Sequence, residues 1–146
     1  MLRPLYMLDT NTVSYLLKGK SALLEQRIKE VDMSCLCISV ITEAELLRGV
    51  AKYPQAKKLA EVVNNFLMHV DILPWDSSAA SAYAKLRRDC DRVGKSLSAM
   101  DMFIAAHANA ASATLVTHDK AFFQIHALLD VVDWTCAKQR AASKAK

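Results

Sequence analysis

At 146 residues the chain is one domain's worth, long enough to bury roughly 70% of its unfolded surface without disulfides. Apolar residues make up 53%, yet no run reaches the roughly 20 uninterrupted apolar residues of a membrane span, and the start lacks a basic segment leading into an apolar one. A soluble, cytoplasmic protein is expected. The net charge of +4 resides in Lys138, Arg140, Lys144 and Lys146: the 19 Lys and Arg less these four leave 15, matched by 15 Asp and Glu.

In chain order, the apolar run 5–8 reads as a buried strand that stops at Asp9-Thr10-Asn11-Thr12, a carboxylate among small polar side chains. Helical periodicity follows over 12–17 and 23–30, then a strand over 36–38, with Cys35 and Cys37 expected on one strand face. Helices over 40–50 and 55–69 lead to a strand at 71–73, and helices over 77–93 and 99–110 flank the turn at Gly94. A strand at 114–116, a short helix at 120–123 and a strand at 131–132 complete the pattern.

This alternation predicts an α/β fold: one domain over 1–137, with a central, mostly parallel sheet of about five strands and helices on both faces. The small, basic, aperiodic segment 138–146 reads as a disordered tail that either touches phosphates or aids solubility. Cys35, Cys37, Cys90 and Cys136 form no C-x-x-C pair and read as buried free thiols, while His69, His107, His118 and His126 lack metal-ligand spacing.

Four carboxylates stand out, each with a simpler alternative. Asp9 ends the first strand, where open α/β folds keep their sites, or it only caps the next helix. Glu45 borders the apolar face that contains Ile41, where an unpaired Glu is costly; its alternative is a capping box with Thr42, although Ser39 makes a better helix start. Asp101 has capping-box spacing from Ser98, yet shares a face with Ile104, Ala105 and Ala108 and should point toward the sheet. Asp119 follows Thr117-His118 and is either a site residue or the cap of the helix carrying Phe122 and Phe123.

Four independent caps explain this set less well than one site does. Like charges gathered in a dry cleft cannot all stay ionised, so the cluster implies a neutralising cation. Oxygen-only ligation points to Mg²⁺ or Mn²⁺, which polarise phosphoryl oxygens and lower the pKa of a bound water.

Leu8-Asp9-Thr10-Asn11, then Ile41-Thr42-Glu43-Ala44-Glu45-Leu46, then the run from Asp101 through Ile104-Ala105-Ala106-His107-Ala108, then Leu115-Val116-Thr117-His118-Asp119 resemble the motifs of the PIN-domain ribonucleases. More narrowly, they resemble the VapC toxins of bacterial toxin–antitoxin pairs, over about residues 5 to 134. The resemblance implies a metal-dependent endoribonuclease that inhibits translation, with a VapB-like antitoxin blocking its cleft and a homodimer as the assembly. It places the metal on Asp9 and Asp101, Glu45 and Asp119 around it, and Thr10, Asn11 and Thr117 as polar lining. Relatives cut tRNA anticodon loops or a ribosomal RNA loop, and initiator tRNA is the target expected here. One departure is Leu97-Ser98-Ala99-Met100, where relatives often have Gly-Pro or Pro before a hydrophobic residue, and it bears on loop shape and substrate choice.

Lys85, Arg88, Arg92 and Lys95 recur at helical steps and read either as an RNA-holding stripe leading toward Asp101 or as a solvated face. The apolar stretch 59–67 reads as core, with an antitoxin surface as its alternative. A haloacid-dehalogenase-type phosphotransferase also begins with an Asp after a strand, but it needs a second Asp where Asn11 stands. A non-catalytic RNA-binding or antitoxin-sequestering module is the remaining rival.

Overall fold

The strands are built from continuous apolar pairs that point to opposite faces. Met7, Cys37, Leu115 and Val131 enter one buried cluster, while their chain neighbours Leu8, Ile38, Val116 and Val132 enter a second. Runs buried on both faces are the mark of a parallel sheet covered by helices. The computed structural model of the chain describes residues 3–137, 140–142 and 144.

Strand β1 (Tyr6–Leu8) leads directly into α1 (Thr10–Leu17), followed by α2 (Ala22–Glu30), a 3₁₀ turn at Met33–Cys35 and β2 (Leu36–Ser39). Next come α3 (Val40–Lys52), α4 (Lys57–His69) and β3 (Asp71–Leu73), then the long helices α5 (Ser77–Val93) and α6 (Ala99–Ala110). The chain returns through β4 (Thr114–Val116), the single-turn α7 (Lys120–Phe123), β5 (Val131–Asp133) and β6 (Arg140–Ala142). The sheet order is β3-β2-β1-β4-β5-β6, with β1 to β5 parallel and β6 antiparallel to β5.

The α5–α6 pair covers the face that carries Met7 and Leu115, through Leu86, Cys90, Met102 and Ile104. Helices α1 to α4 cover the other through Val13, Leu24, Leu46 and Val63. Within the stretch 59–67 only Val63 is fully buried, and Leu59, Phe66 and Leu67 pack around it.

This order puts the topological switch between β1 and β4: the chain builds outward from β1 to β3, then crosses to the other side of β1. The crevice above the carboxyl ends of two such strands is where open α/β sheets bind ligands. Asp9 and Thr117 follow β1 and β4 directly, so the fold delivers both motifs to one crevice.

Three expectations are corrected. Cys35 lies in the 3₁₀ turn and not on the strand with Cys37, because Asp32 caps that turn by accepting from Ser34 N. Helix α1 starts at Thr10, two residues early, because Asp9 caps it straight out of the strand. The segment expected to be a disordered tail contains β6, whose backbone pairs with Val131–Asp133, and Lys144 N donates to Asp130 Oδ1 at 2.7 Å. Residues 138, 139, 143, 145 and 146 of that segment lie outside the described residues. Cys35, Cys37 and Cys90 are buried free thiols, and burial pushes the Cys37 thiol up to about 12.

Candidate active site

Asp9 is buried at 2% exposure and both of its carboxylate oxygens are engaged. Oδ1 accepts from Thr12 N at 2.8 Å, capping α1, and Oδ2 accepts from the Thr117 hydroxyl at 2.7 Å. Burial lifts its pKa above the ordinary carboxylate value, and the bonds from Thr12 and Thr117 together with the nearby His118 draw it part of the way back.

Thr117 ties the two strand ends together. Its hydroxyl donates to Asp9 and accepts from Asp119 N at 3.0 Å, while Thr12 Oγ1 donates to the Val116 carbonyl at 3.1 Å. Replacing Thr117 by Val would strand a buried carboxylate oxygen and a backbone N–H. Urea denaturation should show stability lower by about 2 kcal/mol, since a hydrogen bond to a charged group contributes roughly 1.5–3 kcal/mol.

Glu45 reaches the crevice from α3. Ser39 caps that helix by accepting from Ile41 N at 3.1 Å, so the Thr42–Glu45 capping box does not form. Thr10 Oγ1 instead donates to Glu45 Oε1 at 2.6 Å and lies 3.2 Å from Thr42 Oγ1. Asp101 sits in the first turn of α6, where Ser98 Oγ accepts from its backbone N at 3.3 Å. Ile104, Ala105 and Ala108 on that face are fully buried, which turns the carboxylate toward the sheet edge. Asp119 caps α7, with Ala121 N donating to its Oδ1 at 2.9 Å.

Electrostatics joins the four acids. Asp101 is held above the ordinary carboxylate range first by partial burial, which outweighs its bond to Ser98, and then by the like charges of Asp119, Asp9 and Glu45. The caps at Asp9 and Asp119 are real, so capping and convergence coexist in the same residues. Among the described residues no three His, Cys, Asp or Glu side chains stand ready to grip one ion. Hard oxygens that repel one another suit a cation such as Mg²⁺, which keeps several waters and needs only one or two protein carboxylates.

The PIN-domain family model matches residues 6–128. The chain belongs to the PIN-domain family. Within it, the chain is 30% identical over 129 residues to a protein of Salmonella typhimurium named tRNA(fMet)-specific endonuclease VapC, covering 88% of this chain and 97% of that one. Among solved structures it is similar to a chain of the DNA-bound VapBC complex of Salmonella typhimurium, with a TM-score of 0.82, 30% identity, and coverage of 90% of this chain and 99% of that chain. It is likewise similar to one of VapBC2 from Rickettsia felis bound to a promoter DNA fragment, with a TM-score of 0.81, 28% identity, and coverage of 89% and 98%.

In this PIN domain the basic stripe is only partly assembled toward the acids. Lys85, Arg88, Arg92 and Lys95 are all exposed, but Lys85 faces a second cavity beside Asn109 and Leu128, at the end of α6 away from Asp101. Arg88 lies 3.4 Å from Asp89, and Arg87 lies 3.8 Å from Asp91. Arg92 and Lys95 flank the α5–α6 turn, where Gly94 is left-handed at φ 70° and Lys95 N bonds the Cys90 carbonyl, so these two stand at the Asp101 end.

Two groups escaped the sequence reading. His107, 4% exposed on α6, lies 2.7 Å from Ser39 Oγ through Nδ1 and also bonds the Pro74 carbonyl. Burial holds this imidazole below its ordinary pKa, and its contact with Ser39, the cap of α3, makes it a strut between the helices that bear Glu45 and Asp101. The second is His118, whose ring packs on Tyr15 with centroids 4.7 Å apart. A lone His between Thr117 and Asp119 gives no spacing signal of its own.

Proposed function

We propose that this chain is an endoribonuclease toxin of the VapC kind that cleaves RNA and is neutralised by a VapB-like antitoxin. The observation that carries it is the placement of Asp9, Glu45, Asp101 and Asp119 around the β1–β4 switch point, with Asp101 under pressure from the other three. The names of its relatives support the activity, and tRNA(fMet) in the Salmonella protein's name supports initiator tRNA as the target. The substrate in this reading is cytoplasmic RNA. No described helix is long and apolar enough to cross a membrane.

In this reading Asp9 and Asp101 hold Mg²⁺, with Mn²⁺ as a substitute. Bound there, the ion supplies a polarised phosphoryl oxygen, an activated water and charge relief for the leaving oxygen. Thr117 and Thr12 fix Asp9 in one orientation, and Thr10 fixes Glu45. Asp119, anchored as a cap, completes the acidic wall. Asn11, exposed beside Thr10, lines the mouth, and Arg92 and Lys95 draw the RNA backbone toward Asp101.

A groove of about 420 Å³ runs from Thr10 and Glu45 along α3 and α4, walled by Leu46, Val50, Leu59 and Val63. It suits an apolar antitoxin segment that ends over the acids, where an Arg would meet Asp9 and Asp101. A homodimer is the assembly expected for the toxin.

The test is cleavage of total bacterial RNA by the purified chain with Mg²⁺ or Mn²⁺, mapping new 5′ ends by sequencing. A few discrete sites, lost in EDTA, are expected. Folded, antitoxin-free protein that cuts nothing would favour a non-catalytic binding module.

A further inference from the structure

On the α1 side of the acidic crevice lies a separate pocket of about 190 Å³, walled by Asn11, Ser14, Tyr15, Lys18, Lys20 and His118. It shares a wall with the acids, because Asn11 lies two residues beyond Asp9 and His118 stands between Thr117 and Asp119. We infer that this pocket holds the nucleotide of single-stranded RNA next to the cleaved phosphate, its base against the Tyr15–His118 pair and its phosphate on Lys18 and Lys20. The inference rests on the ribonuclease reading and names the contacts on one side of that site.

Three observations carry it. The two rings pack at 4.7 Å with an interplanar angle of 46°, both are only partly buried, and His118 Nδ1 is a buried polar atom without a hydrogen-bond partner. Aromatic faces of this kind take unpaired bases with little sequence preference. The lysines are placed by a helix stop: Gly19 is left-handed at φ 65°, its N–H bonds the Leu16 carbonyl, and Lys20 N bonds the Tyr15 carbonyl. That motif folds Lys20 back over the turn that carries Tyr15. Finally, among the described residues neither lysine forms an ion pair. Glu25, whose Oε1 lies 3.9 Å from the position of a Cβ on Gly19, pairs with neither. Asn11 and Ser14 add an amide and a hydroxyl able to meet base edges.

The experiment is fluorescence anisotropy of a labelled 2′-O-methyl hexauridylate in EDTA, titrated with salt, alongside total-RNA cleavage by the unmodified chain. Relative to wild type and to a Lys29→Ala control on α2, the Lys18→Ala/Lys20→Ala double variant should bind about tenfold more weakly. Its log K against log salt slope should be shallower by about 1.4, for two lost phosphate contacts at about 0.7 each. Tyr15→Leu should weaken binding about tenfold with the slope unchanged, because stacking carries no charge. If the unmodified chain binds the hexamer and cleaves RNA while the double variant keeps both affinity and slope, the pocket assignment is wrong and the ribonuclease reading stands. A chain that neither binds nor cleaves overturns both.

Discussion

Asp101→Asn is expected to lower RNA cleavage by about 10³-fold while leaving the fold intact and no less stable. The loss would follow from removing one of the two carboxylates proposed to hold the metal, whose share of transition-state stabilisation would be several kcal/mol, each 1.36 kcal/mol being about tenfold in rate. The gain follows from electrostatics: the folded protein holds this carboxyl above its ordinary value of 3.8, through burial and then the charges of Asp119, Asp9 and Glu45. Its native state therefore binds the proton more tightly than the unfolded chain does. Asp101 favours folding at pH below 3.8, and that contribution disappears as pH rises through the elevated native value. At neutral pH the ionised group is a liability, and a neutral Asn of the same shape removes it. Cleavage assays beside thermal melts at pH 7 check both halves. A fully active Asp101→Asn chain would sink the metal assignment.

Adding Mg²⁺ or Mn²⁺ to the metal-free protein should raise its melting temperature by roughly 8 °C at about 100 times the dissociation constant. Saturation at that ratio is worth about 2.7 kcal/mol, and a domain of this size gains about 3 °C per kcal/mol. The shift should vanish in Asp9→Asn and Asp101→Asn, and EDTA should reverse it in the parent chain. Differential scanning calorimetry reads this without RNA, so it separates metal binding from turnover. Equal shifts in parent and variants would place the ion elsewhere.

Much of this was legible in the residues alone. Apolar pairs such as Met7-Leu8 and Leu115-Val116 mark strands buried on both faces, and an acid or hydroxyl directly after each marks the sheet's carboxyl edge. Ser39 and Ser98 announced helix starts because their side chains cap locally, and Asp101 three residues beyond Ser98 sits on a face of Ile and Ala that can only turn inward. The family was recognisable because these local signals occur in a fixed order.

Other features exist only in three dimensions. Chain order does not say that β4 lies against β1, yet that adjacency lets Thr117 donate to Asp9 across 108 positions and lets Asp119, Asp9 and Glu45 raise the Asp101 carboxyl. The Thr10–Glu45 bond and the Ser39–His107 strut likewise join distant segments, and β6 pairs through backbone groups that no side-chain pattern advertises. The sequence by itself determined which carboxylates stand out as candidates and which local element presents each, because capping, periodicity and strand burial act over a few residues. Only the tertiary structure decided which of them meet. Parallel strand order and buried hydrogen bonds are set by the packing of the whole sheet, where non-local contacts repay the entropy of closing long loops.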